Sequence, residues 1–419
     1  SSLARTKKKK LHLFDGTDCN VYDENFINLC VGAPGPDLLK KCCDLLKKST
    51  DHRMKAENEE GAYVFQYSAT IGNDEPRSAI AKFLTHAYRE TVLKYDIVLS
   101  SGSSSGLHLI LSVLLDLNGV IFVDEATYHC AIECFKQFPT MKIISVKLTE
   151  SGVDTIDLEK VLKEHVRKSM EGKMFWGMYY TIPTYHNPTG ILFSEGKILL
   201  SLIELARKYE ILVVSDDVYN LLYYNTTIGP KRLFAYDRLN ESNYTGNVIS
   251  NGSFSKTIAP GIRLGWLECP PRCVEVLNRC GVLISGGSPG NYMATIVQSA
   301  LELGLVQEHI KFVTNAYKSR MLAVCDELKR ELPRGCSFKN PDGGYFIWIC
   351  LPKDTDAAEL NRFCKDKYKI SIMPGVIFSV KGELTNCFRI SIGFLQKDVL
   401  IKAVRNLCAA IKEFLILNK

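Results

Sequence analysis

The stretch Gly252-Ser253-Phe254-Ser255-Lys256-Thr257-Ile258-Ala259-Pro260-Gly261-Ile262-Arg263-Leu264-Gly265-Trp266 decides how this chain is read. It gathers one lysine amine, flanking hydroxyls, one guanidinium and three glycines into fifteen residues. A strand-like run, Asn247 to Ser250, precedes it. Lys256 is therefore expected on a loop at a strand's carboxyl end, where open α/β sheets bind ligands. A lysine amine can condense with an aldehyde, and hydroxyls beside an arginine fork can hold a phosphate. Taken alone, a polar loop with a solvated lysine explains the string equally well. The neighbouring segments have to decide.

They share one design, an apolar strand with a polar end. Ile211-Leu212-Val213-Val214 reads as a buried parallel strand, and Ser215-Asp216-Asp217-Val218-Tyr219 follows it. Acids that merely end a strand and cap a helix are the competing account, and Asp217 fits it. Phe175 to Thr181 is strand-like and leads into Ile182-Pro183-Thr184-Tyr185-His186-Asn187-Pro188-Thr189-Gly190, whose Asn-Pro step is also an ordinary turn former. Ile97 to Leu99 precedes Ser101-Gly102-Ser103-Ser104-Ser105-Gly106, with an amphipathic run from Leu107 to Leu117 behind it. Small residues opening a helix expose N–H groups, and the helix dipole favours an anion there. Ile121-Phe122-Val123-Asp124-Glu125-Ala126-Thr127-Tyr128 repeats the design. Arg389 lies in the alternating strand Cys387 to Phe394, where a charge is costly unless paired. A carboxylate ligand or a structural acid would satisfy it.

From Tyr95 to Glu268, such strands alternate with helix-period segments, among them Ile156 to Lys168 and Ser194 to Tyr209. That alternation predicts an α/β fold with a mainly parallel sheet covered by helices on both faces. Helix-like segments dominate Arg272 to Leu332. Beyond them, strands (Tyr345 to Leu351, Ile370 to Met373, Phe388 to Ile392) and helices (Asp356 to Lys367, Lys397 to Leu415) predict a smaller α+β domain. The expected division is an N-terminal segment 1–60 packing on the small domain or a partner, a large domain 61–305 and a small domain 306–419.

Together these motifs resemble the class I/II aminotransferases, a branch of the fold-type I pyridoxal-phosphate enzymes, from about Asn28 to about Phe394. The resemblance is to the kynurenine, 2-aminoadipate and aromatic members. It implies that Lys256 carries pyridoxal 5'-phosphate as a Schiff base and later moves the substrate's α-proton. It implies Asp216 at the ring nitrogen, Tyr219 and Asn187 at the ring's phenolic oxygen, and Tyr128 stacked on the ring. Ser103, Ser104, Ser253, Ser255 and Arg263 would hold the phosphate. Arg389 would take the substrate's α-carboxylate, since a planar fork suits it and lysine does not. Gly32 in Cys30-Val31-Gly32-Ala33-Pro34 would bring its backbone close to substrate, with Asn187 alongside. Tyr67, in Gln66-Tyr67-Ser68-Ala69-Thr70-Ile71-Gly72-Asn73-Asp74-Glu75-Pro76-Arg77, would reach the partner subunit's phosphate in a homodimer with shared sites. The pattern departs from the family at Ser68 and Pro76, which replace glycine and leucine, and at Ala126, which replaces proline.

The implied reaction is ping-pong transamination between an α-amino acid and a 2-oxo acid, with 2-oxoglutarate expected as the acceptor. The motifs fix cofactor and α-amino acid, and they leave open a β-lyase or an aminocyclopropane-carboxylate-synthase-like lyase. A catalytically silent sensing domain is disfavoured by the presence of Lys256.

The 419 residues suffice for two to three domains. Hydrophobic residues make up 46% and charged ones 23%, ordinary globular usage. The net charge is +6, and Lys7-Lys8-Lys9-Lys10 supplies four of those charges as a solvated tail. No nucleic acid is expected as a partner, because four lysines without interleaved aromatics argue only weakly for one, and no membrane, because no apolar run approaches the roughly 20 residues that span a bilayer. The 15 cysteines are scattered, with no metal-ligand spacing, so no metal is expected. Free thiols point to a reducing compartment, read as cytoplasmic with a mitochondrial location left open.

Overall fold

The computed structural model describes residues 26–194, 196–237 and 241–418. The Lys7–Lys10 run and most of the first half of the 1–60 segment lie outside the described residues. At the centre is a seven-stranded sheet, in the spatial order Ile97–Ser100, Gly265–Glu268, Val248–Ser253, Leu212–Asp216, Phe175–Thr181, Leu115–Asp124, Lys142–Val146. Every pairing is parallel except those of Gly265–Glu268, which runs antiparallel to both neighbours.

Helices cover both faces, which explains the unbroken apolar strands. In Leu212–Asp216, Leu212 and Val214 pack in one cluster and Val213 in another. The first cluster includes Leu107 and Ile110 of the helix Ser103–Val113, and the second includes Leu199, Leu202 and Ile203 of the helix Lys197–Tyr209. This period-2 alternation fixes which way each acid at the strand's end points. Asp216 shares the face of Leu212 and Val214, and Asp217 falls on the side of Ser215.

A second, antiparallel sheet is ordered Ser337–Phe338, Phe346–Cys350, Cys387–Ser391, Met373–Pro374. The helices Leu305–Glu331 and Lys397–Leu417 pack together beside it. The N-terminal segment reaches this region, because Ile27–Asn28 pairs in parallel with Ile370–Ser371. Its helix, Pro36–Glu60, packs mainly on the helix Asn291–Glu302.

Two local readings change. The run Ile370 to Met373, expected as one strand, is two short strands in different sheets. The run expected to be amphipathic to Leu117 leaves the helix at Val113 and enters a strand at Leu115.

Candidate active site

The site lies at the carboxyl ends of the parallel strands, where they meet the second sheet and the N-terminal segment. Asn28, Cys30, Val31, Gly32, Tyr128, His129, Cys130, Asn187, Tyr219, Lys256, Phe346, Met373 and Arg389 line a cleft that opens to solvent. Ser103, Ser104, Leu107, Tyr128, Cys130, Ala131, Cys134, Tyr180 and Asp216 line an adjoining space. Tyr128 and Cys130 belong to both.

Lys256 follows the strand Val248–Ser253, and its Nζ donates to the Gly32 carbonyl at 2.6 Å. Burial, and then the nearby Arg389 charge, lower its pKa to about 8. A neutral amine is thus available near neutrality, as a nucleophile or proton acceptor requires.

Asp216 is 4% exposed. Its Oδ2 accepts from the Tyr180 hydroxyl at 2.6 Å, and its Oδ1 from Asn251 Nδ2 at 3.4 Å. No cation pairs with it among the described residues, and burial raises its pKa to about 7. Asp217, one residue on, accepts from the Ser215 and Ser250 hydroxyls instead. No helix begins there, so the helix-cap reading of Asp217 gives way to a buried brace between two strands.

Asn187, joined to Pro188 by a cis peptide bond, accepts from Arg389 Nη1 through its Oδ1 at 2.7 Å. Its amide N–H groups are thereby left for another acceptor. Arg389 Nη2 donates to the Cys30 carbonyl at 2.6 Å, and its guanidinium carbon stands 4.0 Å from the Phe346 ring centroid. Arg389 Nε has no hydrogen-bond partner among the described residues. No acid pairs with this guanidinium among them either, and burial lowers its pKa to about 10. Tyr219 is buried against the Tyr345 and Phe346 rings.

Around Gly102 the structure builds an open cradle. Arg263 Nη2 donates to the Ser101 carbonyl at 2.7 Å, and Nη1 approaches Ser255 Oγ at 3.4 Å. Ser253 Oγ donates to Ser255 Oγ at 2.9 Å. Ser103 and Ser104 open the helix Ser103–Val113, so its free N–H groups point here. Gly102 has φ +87°, and a Cβ there would lie 2.6 Å from Arg263 Nη2. Only glycine leaves this room.

The structure thus brings Lys256, Asn187, Tyr128, Tyr219, Arg389 and Gly32 together, with Asp216, Ser103 and Ser104 adjoining. Ser253, Ser255 and Arg263 line neither space; Ser253 is buried, and Arg263 joins Ser255 to the Ser101 carbonyl. Tyr67 stands apart, 78% exposed, with Gly286 as a neighbour. The residues fit pyridoxal phosphate. An unpaired buried carboxylate suits a protonated ring nitrogen, the cradle suits a phosphate, and the amine suits an aldehyde.

Sequence reasoning missed Tyr180 and Asn251. Asn251 bridges Asp216 to the Ser103 carbonyl, which its Nδ2 reaches at 2.9 Å. Its Oδ1 is buried without a partner, and a Cβ on Gly106 would come within 2.7 Å of it. An asparagine inside an apolar strand was the available signal. His129 was missed as well. Its Nδ1 is buried without a partner among the described residues, and burial lowers its pKa to about 3.

The family model for aminotransferase class I and II matches residues 24–407. The chain is 28% identical over 396 residues to an aromatic-amino-acid aminotransferase of Thermococcus litoralis, covering 94% of this chain and 89% of that one. It is 29% identical over 388 residues to a 2-aminoadipate transaminase of Thermus thermophilus, covering 92% and 90%. A kynurenine aminotransferase structure from Pyrococcus horikoshii superposes with a TM-score of 0.82 at 28% identity, covering 99% of this chain and 100% of that one.

Proposed function

The chain belongs to the class I and II aminotransferases, and on that premise we propose how its residues divide the work and which substrates they take. It is a pyridoxal-phosphate-dependent transaminase that moves an amino group from an α-amino acid to a 2-oxo acid. The bound cofactor supplies an aldehyde that carries the amino group and a ring that accepts the electron pair left when the α-proton departs.

In the proposed assignment, Lys256 holds the cofactor and then, as a free amine, takes and returns the α-proton. Asp216 keeps the ring nitrogen protonated, held in aim by Tyr180 and Asn251. Asn187, whose carbonyl is committed to Arg389, turns its amide N–H groups to the phenolic oxygen beside Tyr219. Tyr128 lies against the ring. Ser103, Ser104, Ser253, Ser255 and Arg263 hold the phosphate.

One observation carries the reading. Arg389 is a buried guanidinium without an acid partner among the described residues, in the same cavity as Lys256. A carboxylate ligand would satisfy it bidentately. The rest of that cavity offers rings, thiols and neutral amides. We therefore favour amino acids with neutral, bulky side chains. For the 2-oxoglutarate expected as acceptor, His129 of the same cavity lining carries a buried Nδ1 without a hydrogen-bond partner among the described residues.

A panel of amino acids offered with 2-oxoglutarate tests this. Glutamate and the matching 2-oxo acid should form together, fastest with aromatic or large aliphatic donors. Ammonia and pyruvate without glutamate would assign lyase chemistry instead.

The homodimer is also a proposal. Tyr63, Phe65, Tyr67, Val282, Ile284 and Tyr292 are exposed apolar side chains, and Phe65 stacks on Tyr292. Such a patch on a monomer usually marks an interface. A partner covering it would bring Tyr67 towards the other subunit's phosphate. We place the domains as 1–60, 61–305 and 306–419, supported by one sheet within residues 97–268 and the other within 337–391. No helix among the described residues is long and apolar enough to cross a membrane. A cytoplasmic location is supported by the free state of the described cysteines.

A further inference from the structure

We propose that Cys350 and Cys387 form a dithiol oxidation site, closing to a disulfide across the second sheet. The two residues are direct partners on antiparallel strands. Their sulfurs lie 3.1 Å apart. The next pair along, Leu351 and Asn386, exchanges the backbone bond Leu351 N–H to Asn386 O. Alternation therefore makes the cysteine pair a non-hydrogen-bonded one, with Cα atoms roughly 4.5 Å apart. That spacing falls within the range a disulfide bridges without backbone movement, roughly 4.4–6.8 Å.

The two thiols are not equivalent. Cys350 is partly exposed and Cys387 is buried. The hydrogen bond between them holds the Cys350 thiol below its ordinary pKa and pushes Cys387 up. Cys350 is thus the sulfur that meets an oxidant first. Its thiolate attacks a peroxide oxygen, giving a sulfenic acid and releasing the other oxygen as water. The Cys387 sulfur then attacks the Cys350 sulfur, and the hydroxyl leaves as a second water. The peroxide is reduced by two electrons and the dithiol loses two hydrogens.

The pair sits beside the site. Cys387 precedes Arg389 by two residues, so both face the same side of their strand. Trp348 is the cross-strand partner of Arg389, and its ring packs edge-on against Phe378 at 5.8 Å. Phe378 in turn lies 4.9 Å from the Arg389 guanidinium. Closing the 3.1 Å sulfur contact to a covalent bond would reorient these two side chains beside Trp348, on the strand that aims Arg389. This effect on activity rests on Arg389 being the carboxylate receptor, whereas the bond itself does not.

The experiment treats the cofactor-loaded enzyme with hydrogen peroxide, blocks remaining thiols and maps peptides without reduction. A peptide linking Cys350 to Cys387, released by dithiothreitol, is expected. It should vanish in Cys350→Ser and in Cys387→Ala and persist in Cys336→Ser. Cys336 precedes Ser337, the residue paired with Cys350 on its other side. Oxidised wild type should show a raised KM for the amino acid with kcat less affected, restored by reductant, and Cys387→Ala should not respond. Recovery of Cys350 only as sulfinic or sulfonic acid, or linked to Cys336, would overturn the proposal. Absence of transamination in the untreated enzyme would instead overturn the functional reading and leave the peptide map standing.

Discussion

The ring end and the phosphate end of the site are built on opposite terms. Asp216, Asn187 and Arg389 are 4%, 3% and 2% exposed, and the two charges among them have no counter-ion among the described residues. Arg263 and Ser104 face solvent, and Arg263 is tied to the backbone carbonyls of Ser101 and Pro260. A buried charge without a partner is expensive, and its pKa moves toward the neutral form. The ring end therefore holds its charges in readiness at a cost that ligands relieve. The phosphate end costs little because water and main chain already serve it. Substitutions should do far more harm at the first end than at the second.

The largest effect belongs to the residue between the two ends. Lys256→Ala should remove the visible absorption of the lysine-bound cofactor and lower kcat by roughly 10²–10⁴-fold or more, the contribution of a placed general base. A variant that keeps both band and turnover would break the assignment.

Asp216→Asn comes next. An ion pair changes the hold on a proton roughly 10- to 1000-fold, and kcat should fall in that range while cofactor still binds. Asp217→Asn should instead keep near-normal turnover and lose stability, as an amide leaves one acceptor oxygen for the Ser215 and Ser250 hydroxyls and a buried unmet group costs about 1–3 kcal/mol. The cofactor-free protein adds a pH test. Burial raises the Asp216 pKa in the folded chain from its ordinary value of 3.8 to about 7. Between those values the folded chain holds one more proton than the unfolded chain, so stability falls as pH rises through the window, by on the order of 4 kcal/mol. Denaturant melts of Asp216→Asn should lack that slope.

Arg389→Lys should raise the KM for the amino acid by roughly 10- to 150-fold, the loss of a charged hydrogen bond of about 1.5–3 kcal/mol. Steady-state kinetics with a good donor would read it. At the open end, Gly102→Ala faces a backbone cost of about 1–2 kcal/mol, because φ +87° with ψ 170° suits glycine alone, and it crowds Arg263. Cofactor affinity should drop roughly 5- to 30-fold, seen as leakage on dialysis, with kcat at saturating cofactor nearly intact. A kcat loss as deep as that of Asp216→Asn would erase the contrast between the two ends.

What was legible followed from side chains set in regular elements. Asp216 stood out because four apolar residues end just before it, and strand parity then separates it from Asp217. Lys256, Asn187 and Arg389 were legible because each charged or amide group interrupts or ends an apolar strand. The work of Cys30 was hidden, since it is done by a carbonyl that every residue carries, and Gly32 was expected only through the family resemblance. Asn251 fell just beyond the strand-like run Asn247 to Ser250, and its partners come from a strand and a helix far away in sequence. The segment Ile370 to Met373 misled because two short pairings in separate sheets leave the same alternation as one strand.

The reversed strand Gly265–Glu268 has a consequence for how the protein comes into being. It joins Ile97–Ser100 to Val248–Ser253, so the edge of the sheet formed early in the chain waits for a strand made some 165 residues later. Contacts of such long sequence separation close slowly, after the loop between them has been tamed. The backbone of Gly265 lies against Gly102, and Arg263 reaches across to Ser101. The cradle therefore does not exist until that seam is sewn, and the emergence of anion binding during refolding would time its closure.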